Sequence, residues 1–419
     1  MINRNIQFFL KLVRCAMYTD YSTFSGENKE DEWKAAFQMA ITNQMQALLG
    51  FYVNGLAERN IVSGQTASVW KQTSFTCMMR EGTKYVWLRR ILAEAEKQNV
   101  LCVLFKGCIL ADLYPQYLMR SSCDTDIFVH RRDGVAIEKI LLNLGFIKWV
   151  EKSKENVPVY VLPKEKYMIE IHFSLWEDHE GPQILLLDAM NLTAEESLLH
   201  TKACGMDVVA LGYEQHLIFQ IFHIVKHFSL EGINLRYLVD ITYFINAYAE
   251  KIDWKDFWSK MDILHYAHFC RLVFNLCIHF LGMTSQIADL KIVNIDEAED
   301  LLLDLVHNGS CSTEKNAGWQ LLGIMTPYFT GIHTIPQSRF RRKLRVLFPS
   351  SKGLPPEYAY AEKHPVLLPI AWMHRFVLFL FKWGRNRNMY YGASQKLTIA
   401  EHRLALMREL ELIEGKQTS

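Results

Sequence analysis

No Cys-x-x-Cys pair occurs in the 419 residues, and no cluster of cysteine and histidine has zinc-ligand spacing. The nine cysteines are too few for a disulfide-stapled scaffold and read as free, mostly buried thiols of a reducing compartment. Neither sign of charge predominates: 46 Lys and Arg stand against 45 Asp and Glu, a formal net charge of +1. That balance argues against strong general nucleic-acid binding through bulk charge. Long apolar runs are missing as well. The nearest approach to a membrane span, 365–383, is interrupted by Pro369, His374, Arg375 and Lys382, so no transmembrane segment is expected. Arg4, Lys11 and Arg14 break up the apolar N-terminus, which predicts an amphipathic helix and not a signal peptide. The chain therefore reads as cytoplasmic. There is no internal repeat and no low-complexity tract. What is present is 50% hydrophobic and 22% charged residues, the composition of a folded protein with a substantial core.

The patterning divides the chain in three. Residues 1–95 predict a helical N-terminal segment, with helical spacing over 32–56 and again over 85–97. Residues 96–182 change character. Short strand-like runs at 100–105, 124–130, 146–150, 157–162 and 167–173 alternate with helical stretches at 108–113 and 133–144. From 183 to 419 the helical period returns, at 215–227, 235–249, 254–261, 266–281, 297–305 and 398–414. The fold class is thus α+β: a small mixed-sheet core flanked by a helical N-terminal segment and a large helical C-terminal region.

The chemistry concentrates in the core. Asp124 and Asp126, two apart at the start of a predicted strand, project to one face and can share a hard divalent cation, Mg²⁺ or Mn²⁺. Lys106-Gly107 ends the preceding strand; the glycine admits a phosphate to the backbone and the lysine supplies a positive charge. Arg120 can grip a phosphate with its fork. Glu170, on a later strand, would supply the third acid of a two-metal site, with His172 on the same face.

Taken together these residues resemble the nucleotidyltransferase superfamily, and more closely the bacterial family of uncharacterised nucleotidyltransferases. The resemblance rests on Lys106-Gly107, Tyr114-Pro115, Arg120, the Asp124-x-Asp126 pair and the acidic strand carrying Glu170 and His172. It continues through Glu214, Leu217, His223 and Lys226, through Arg236-Tyr-Leu-Val-Asp240, and loosely through 348–375. The sequence departs from the superfamily in three ways. Lys106-Gly107-Cys108 replaces the usual Gly-Ser turn, the interval from Gly107 to Asp124 is longer than in polymerase-like members, and the third acid is Glu. The resemblance implies metal-dependent transfer of a nucleoside monophosphate from a nucleoside triphosphate donor to an unidentified acceptor. Asp124, Asp126 and Glu170 would hold metal, and Lys106, Gly107, Arg120 and Lys226 the triphosphate. Two other readings stand beside this one: a toxin-type relative acting on tRNA or protein, and a non-catalytic binding module of the same fold. The basic run Arg339, Arg341, Arg342, Lys343 and Arg345 is either a solvated helix face or a surface for a polyanion. His216, His223 and His227 read as ordinary helix histidines before they read as a metal face.

Overall fold

The protein is described from a computed structural model, in residues 2–24, 29–150, 152–176, 182–230, 232–294, 298–307, 348, 351, 354, 358–383 and 401–412. The basic run 339–345 lies outside these residues. Contacts divide the chain into two units, the first comprising 1–179, 184–222 and 234–309, the second 180–183, 223–233 and 310–419.

The first unit opens with four helices: α1 (Arg4–Tyr18), α2 (Glu30–Thr42), α3 (Gln46–Glu58) and α4 (Gly64–Lys97). The predicted helix over 32–56 is two helices, because Gln44 takes the left-handed conformation at φ +57° between α2 and α3. Phe8, Phe24, Trp33 and Tyr52 pack edge to face or tilted between α1, α2 and α3. Gly50 lets α3 lie directly on α4, since a Cβ there would fall 2.6 Å from the Trp70 carbonyl oxygen. The predicted helix over 85–97 is only the end of α4. Its buried stripe runs Ala67, Trp70, Ser74, Glu81, Lys84, Leu88, Ile91 and Ala95, steps of three, four and seven throughout.

The sheet follows: β1 (Cys102–Leu104), β2 (Thr125–Val129), β3 (Ile147–Lys148), β4 (Val159–Leu162) and β5 (Tyr167–His172), with α5 (Gly107–Ala111) and α6 (Gly134–Asn143) between the early strands. All of these match the expected order. Two further strands do not: β6 (Leu199–Ala203) and β7 (Met206–Ala210) form a hairpin where the sequence reading placed helical chain, and β7 pairs in parallel with β1. The sheet therefore extends past residue 182, in the order β3-β4-β5-β2-β1-β7-β6. The hairpin loop is the two residues Cys204 and Gly205, both at positive φ (+51° and +68°), as a tight hairpin turn demands. Cysteine at the first of these positions is a poor turn signal, which hides the hairpin in the sequence.

One face of the sheet is the apolar core. Leu104, Ile127, Val129, Ile169, Ile171 and Val208 pack there with Leu88 and Ile91 of α4 and Ile137, Ile140 and Leu141 of α6. After α7 (Pro182–Ala189) and the hairpin come α8 (Tyr213–Leu230), α9 (Arg236–Tyr248), α10 (Trp254–Ile263), α11 (Ala267–Leu276) with a π-helical turn at Cys277–Leu281, and α12 (Glu299–His307). These agree with the helical spacing. Residues 223–230 of α8 belong to the second unit. That unit also holds α13 (Ala359–Lys363), α14 (Leu368–Trp383) and a helical stretch at 401–409. A small core of Leu354, Tyr358, Ala361 and Ala371 packs within it. None of the eight described cysteines is in a disulfide, and six are buried. Among the described residues no helix is long and apolar enough to cross a membrane.

Candidate active site

The sheet face opposite the core carries the acids. In the parallel pairing of β2 with β5, Asp126 stands opposite Glu170 and Phe128 opposite His172, so strand alternation puts Asp126, Glu170 and His172 on one side. Ligand atoms of these three lie within 4.8 Å of one another, a group able to hold a metal ion. His172 Nε2 is 2.9 Å from Asp126 Oδ1 and 3.7 Å from Glu170 Oε2. Asp124 is not part of that group. It lies just before the strand, which begins at Thr125.

The charges couple all the same. Burial raises the Asp124 carboxyl, and the neighbouring Asp126 charge raises it further. Burial pushes Asp126 the same way, but the Lys106 ammonium and the His172 hydrogen bond outweigh it and hold that carboxyl well below the usual range. Lys106 Nζ sits 3.3 Å from Asp126 Oδ1. Burial would lower Lys106, yet Asp126, Asp124 and Glu170 together raise it.

Those acids suit a hard cation in their donor chemistry. His172 stands beside them as the third member of the group. Its Nδ1 is buried without a hydrogen-bond partner. The 2.9 Å contact between His172 Nε2 and Asp126 Oδ1 holds that carboxylate in place.

The turn after β1 is built around Lys106 rather than Gly107. Lys106 has φ +56° and ψ −118°, a conformation that costs a non-glycine residue on the order of 1–3 kcal/mol. Gly107 has no positive φ, and a Cβ added to it would meet nothing within 4 Å, so its bare backbone faces open space. What holds Lys106 is His216 of α8, whose Nε2 accepts the Lys106 backbone N–H at 3.1 Å. This places His216 at the turn, a role the sequence reading did not give it. Burial, with Arg120 and Lys106 nearby, lowers its imidazole to about 3, only partly opposed by Asp240. Its folded value lies below the ordinary 6.5, so between those values the unfolded chain binds a proton that the folded chain does not. Stability should fall as pH drops through that window, by roughly 2 kcal/mol between pH 7 and 5 from this group. Urea midpoints at the two pH values check it: His216→Gln, which keeps an acceptor, should lose visibly less.

Arg120 departs from expectation. It is buried, and its fork is spent on Asp240 of α9: Nε to Oδ1 at 2.8 Å and Nη2 to Oδ2 at 2.8 Å. Its Nη1 approaches the Gly107 carbonyl at 3.4 Å. Two saturated carboxylate bonds leave it a clamp between the turn and α9 and not a phosphate grip. Tyr114 Oη and Arg236 Nη1 also bond Asp240, at 2.8 and 3.0 Å. The Arg236 to Asp240 pair is the i,i+4 pair seen in the sequence. Lys226 is buried on α8 within the second unit, where His223 and His227 are half-buried and their rings meet at 4.3 Å.

Sequence reasoning also missed Glu81 and Lys84. Both are buried on α4 and paired at 3.1 Å. Ser122, two residues before Asp124, donates its backbone N–H and hydroxyl to Glu81 and receives the Lys84 ammonium at its carbonyl and hydroxyl. The pair thus pins the approach to the acids. Two charged residues inside an otherwise neutral or apolar three-four stripe were the available signal.

Acids on adjacent strands beside a lysine-bearing turn have the donor chemistry to hold a metal ion. The sequence profile of the uncharacterised nucleotidyltransferases matches residues 29–282. The chain belongs to that family and is a nucleotidyltransferase. No curated protein matches it. Among solved structures, the solution structure of the antibiotic-resistance factor ANT(2'')-Ia, described as showing substrate-regulated conformation dynamics, is similar at 13% identity. It aligns with 48% of this chain and 98% of its own, with a TM-score of 0.32.

Proposed function

We propose that the enzyme is metal-dependent, using Mg²⁺ or Mn²⁺ to transfer a nucleoside monophosphate from a nucleoside triphosphate to a small-molecule, sugar or peptide acceptor. One observation supports this above the others: Asp126 and Glu170 lie in one group with ligand atoms within 4.8 Å, Asp126 pairs with Lys106, and the charges of Asp124 and Glu170 also act on that ammonium. Three carboxylates against one lysine leave an excess of negative charge that a divalent cation would offset. Asp124, Asp126 and Glu170 would hold it. When bound, such an ion neutralises developing charge on phosphoryl oxygens.

Lys106 places its ammonium against the triphosphate, and the bare backbone at Gly107 admits a phosphate oxygen. The acceptor oxygen attacks the α-phosphorus as the bond to the β-phosphate oxygen breaks. Pyrophosphate leaves, and the acceptor's proton passes to the Glu170 carboxylate. His172 and the Glu81–Lys84 pair keep the acids in place, so catalysis comes mostly from positioning and charge.

Calorimetric titration of each NTP with Mg²⁺ tests the reading, on the wild type and on the Asp124→Asn/Asp126→Asn double variant. Metal-dependent binding that the variant loses is the expected result and names the donor. Absence of NTP binding in the wild type would sink the transferase mechanism and favour a binding module.

A further inference from the structure

Arg236 is nine-tenths buried at the start of α9 and under-used. Asp240, its partner, already has its four acceptor positions filled: Tyr114 Oη and Arg120 Nε on Oδ1, Arg120 Nη2 and Arg236 Nη1 on Oδ2. Two guanidiniums share one carboxylate, so the cluster keeps one unmatched positive charge inside the protein. Arg120 spends three of its nitrogens. Arg236 spends one, and its Nε is buried with no hydrogen-bond partner. A buried charged donor left unpaired is costly, and a polar ligand is the ordinary remedy.

The cluster touches the turn that carries Lys106, and its charge reaches the acids. Arg120 reaches the Gly107 carbonyl, and Arg236 is among the charges that act on Asp124. The guanidinium of Arg236 lies 5.0 Å from the Tyr237 ring, whose hydroxyl feels Lys106 and Asp124.

We propose that Arg236 is a phosphate-binding residue of this enzyme, taking with its spare donors the polyphosphate portion of the bound nucleotide. Arg236 thereby fills the role that Arg120, saturated by Asp240, does not. The inference rests on the reading that the site takes a nucleoside triphosphate, and its test is made separable from that reading by a probe that needs neither nucleotide nor metal.

Inorganic tripolyphosphate is titrated calorimetrically into the full chain without metal, for the wild type, Arg236→Gln and Arg236→Lys. Mn²⁺ affinity and melting temperature are measured alongside. The expected result is wild-type binding that weakens by about 10- to 100-fold in Arg236→Gln, as for loss of a charged hydrogen bond. Arg236→Lys, which keeps the charge and one bond to Asp240, should fall between. A merely structural arginine would move the melting temperature and leave the affinity of the folded variant unchanged, which overturns the proposal. So does a wild type that ignores tripolyphosphate. Should Arg236→Gln fail to fold, Arg236→Lys decides: affinity equal to wild type overturns the proposal, a loss supports it. A wild type that binds tripolyphosphate but no Mn²⁺ supports the arginine's role while removing the metal reading.

Discussion

Replacing Arg120 by methionine should lower the stability of the protein by about 3–5 kcal/mol, the cost of leaving a buried carboxylate short of its main partner. Asp240 would lose two 2.8 Å bonds and keep Tyr114 and Arg236, which supply one each. The loss should be much smaller in Arg120→Met/Asp240→Leu, where the uncompensated charge goes too. Urea denaturation of the two single variants and the double variant gives the coupling directly. Equal losses in Arg120→Met and the double variant would mean that the clamp is not an electrostatic unit.

The two aspartates of the Asp-x-Asp pair should respond in opposite ways to the same chemical change. The Asp124 carboxyl is raised by burial and by Asp126, so its charged form is disfavoured in the folded state and weighs against stability above the ordinary carboxylate range. Asp124→Asn should therefore stabilise the protein, by about 1 kcal/mol. The Asp126 carboxyl is depressed, so it contributes stability at neutral pH that disappears as pH falls through its folded value. Asp126→Asn should destabilise by roughly 1–3 kcal/mol, since the acceptor that Lys106 and His172 share loses its charge. Both variants should bind Mn²⁺ more than about 100-fold more weakly, beyond the range usual for groups that only orient a ligand. Urea midpoints and electron paramagnetic titration of free Mn²⁺ read the two quantities separately. Unchanged Mn²⁺ affinity in either variant removes that residue from the metal site.

Much of the scaffold was legible because periodicity and breakers state it locally. The strands around Asp126 and Glu170 and the helices from 213 to 307 follow their apolar spacing. What stayed hidden depends on partners distant in the chain. Arg120 is a sensible phosphate residue until Asp240 occupies both its edges. His216 is one histidine among several on α8 until its ring meets the Lys106 backbone. Glu81 and Lys84 look like surface charges unless the three-four stripe of α4 is followed for its whole length, which shows them inside it. The β6–β7 hairpin escaped for the opposite reason. Its signal is local, but Cys204 is an unusual residue for the first left-handed position of such a turn.

The parallel pairing of Val103 with Val209 has a consequence for how the chain is made. As it leaves the ribosome, the strand that leads into the Lys106 turn is present early, yet it remains a bare edge until residue 210 emerges. Unpaired strand edges attract other strands, and pairings this far apart form slowly. A fragment stopped at residue 182 would carry the acids and the turn but would leave β1 open along the side that β7 covers, inviting self-association. The strands that carry the acids are therefore best produced and handled with the hairpin attached.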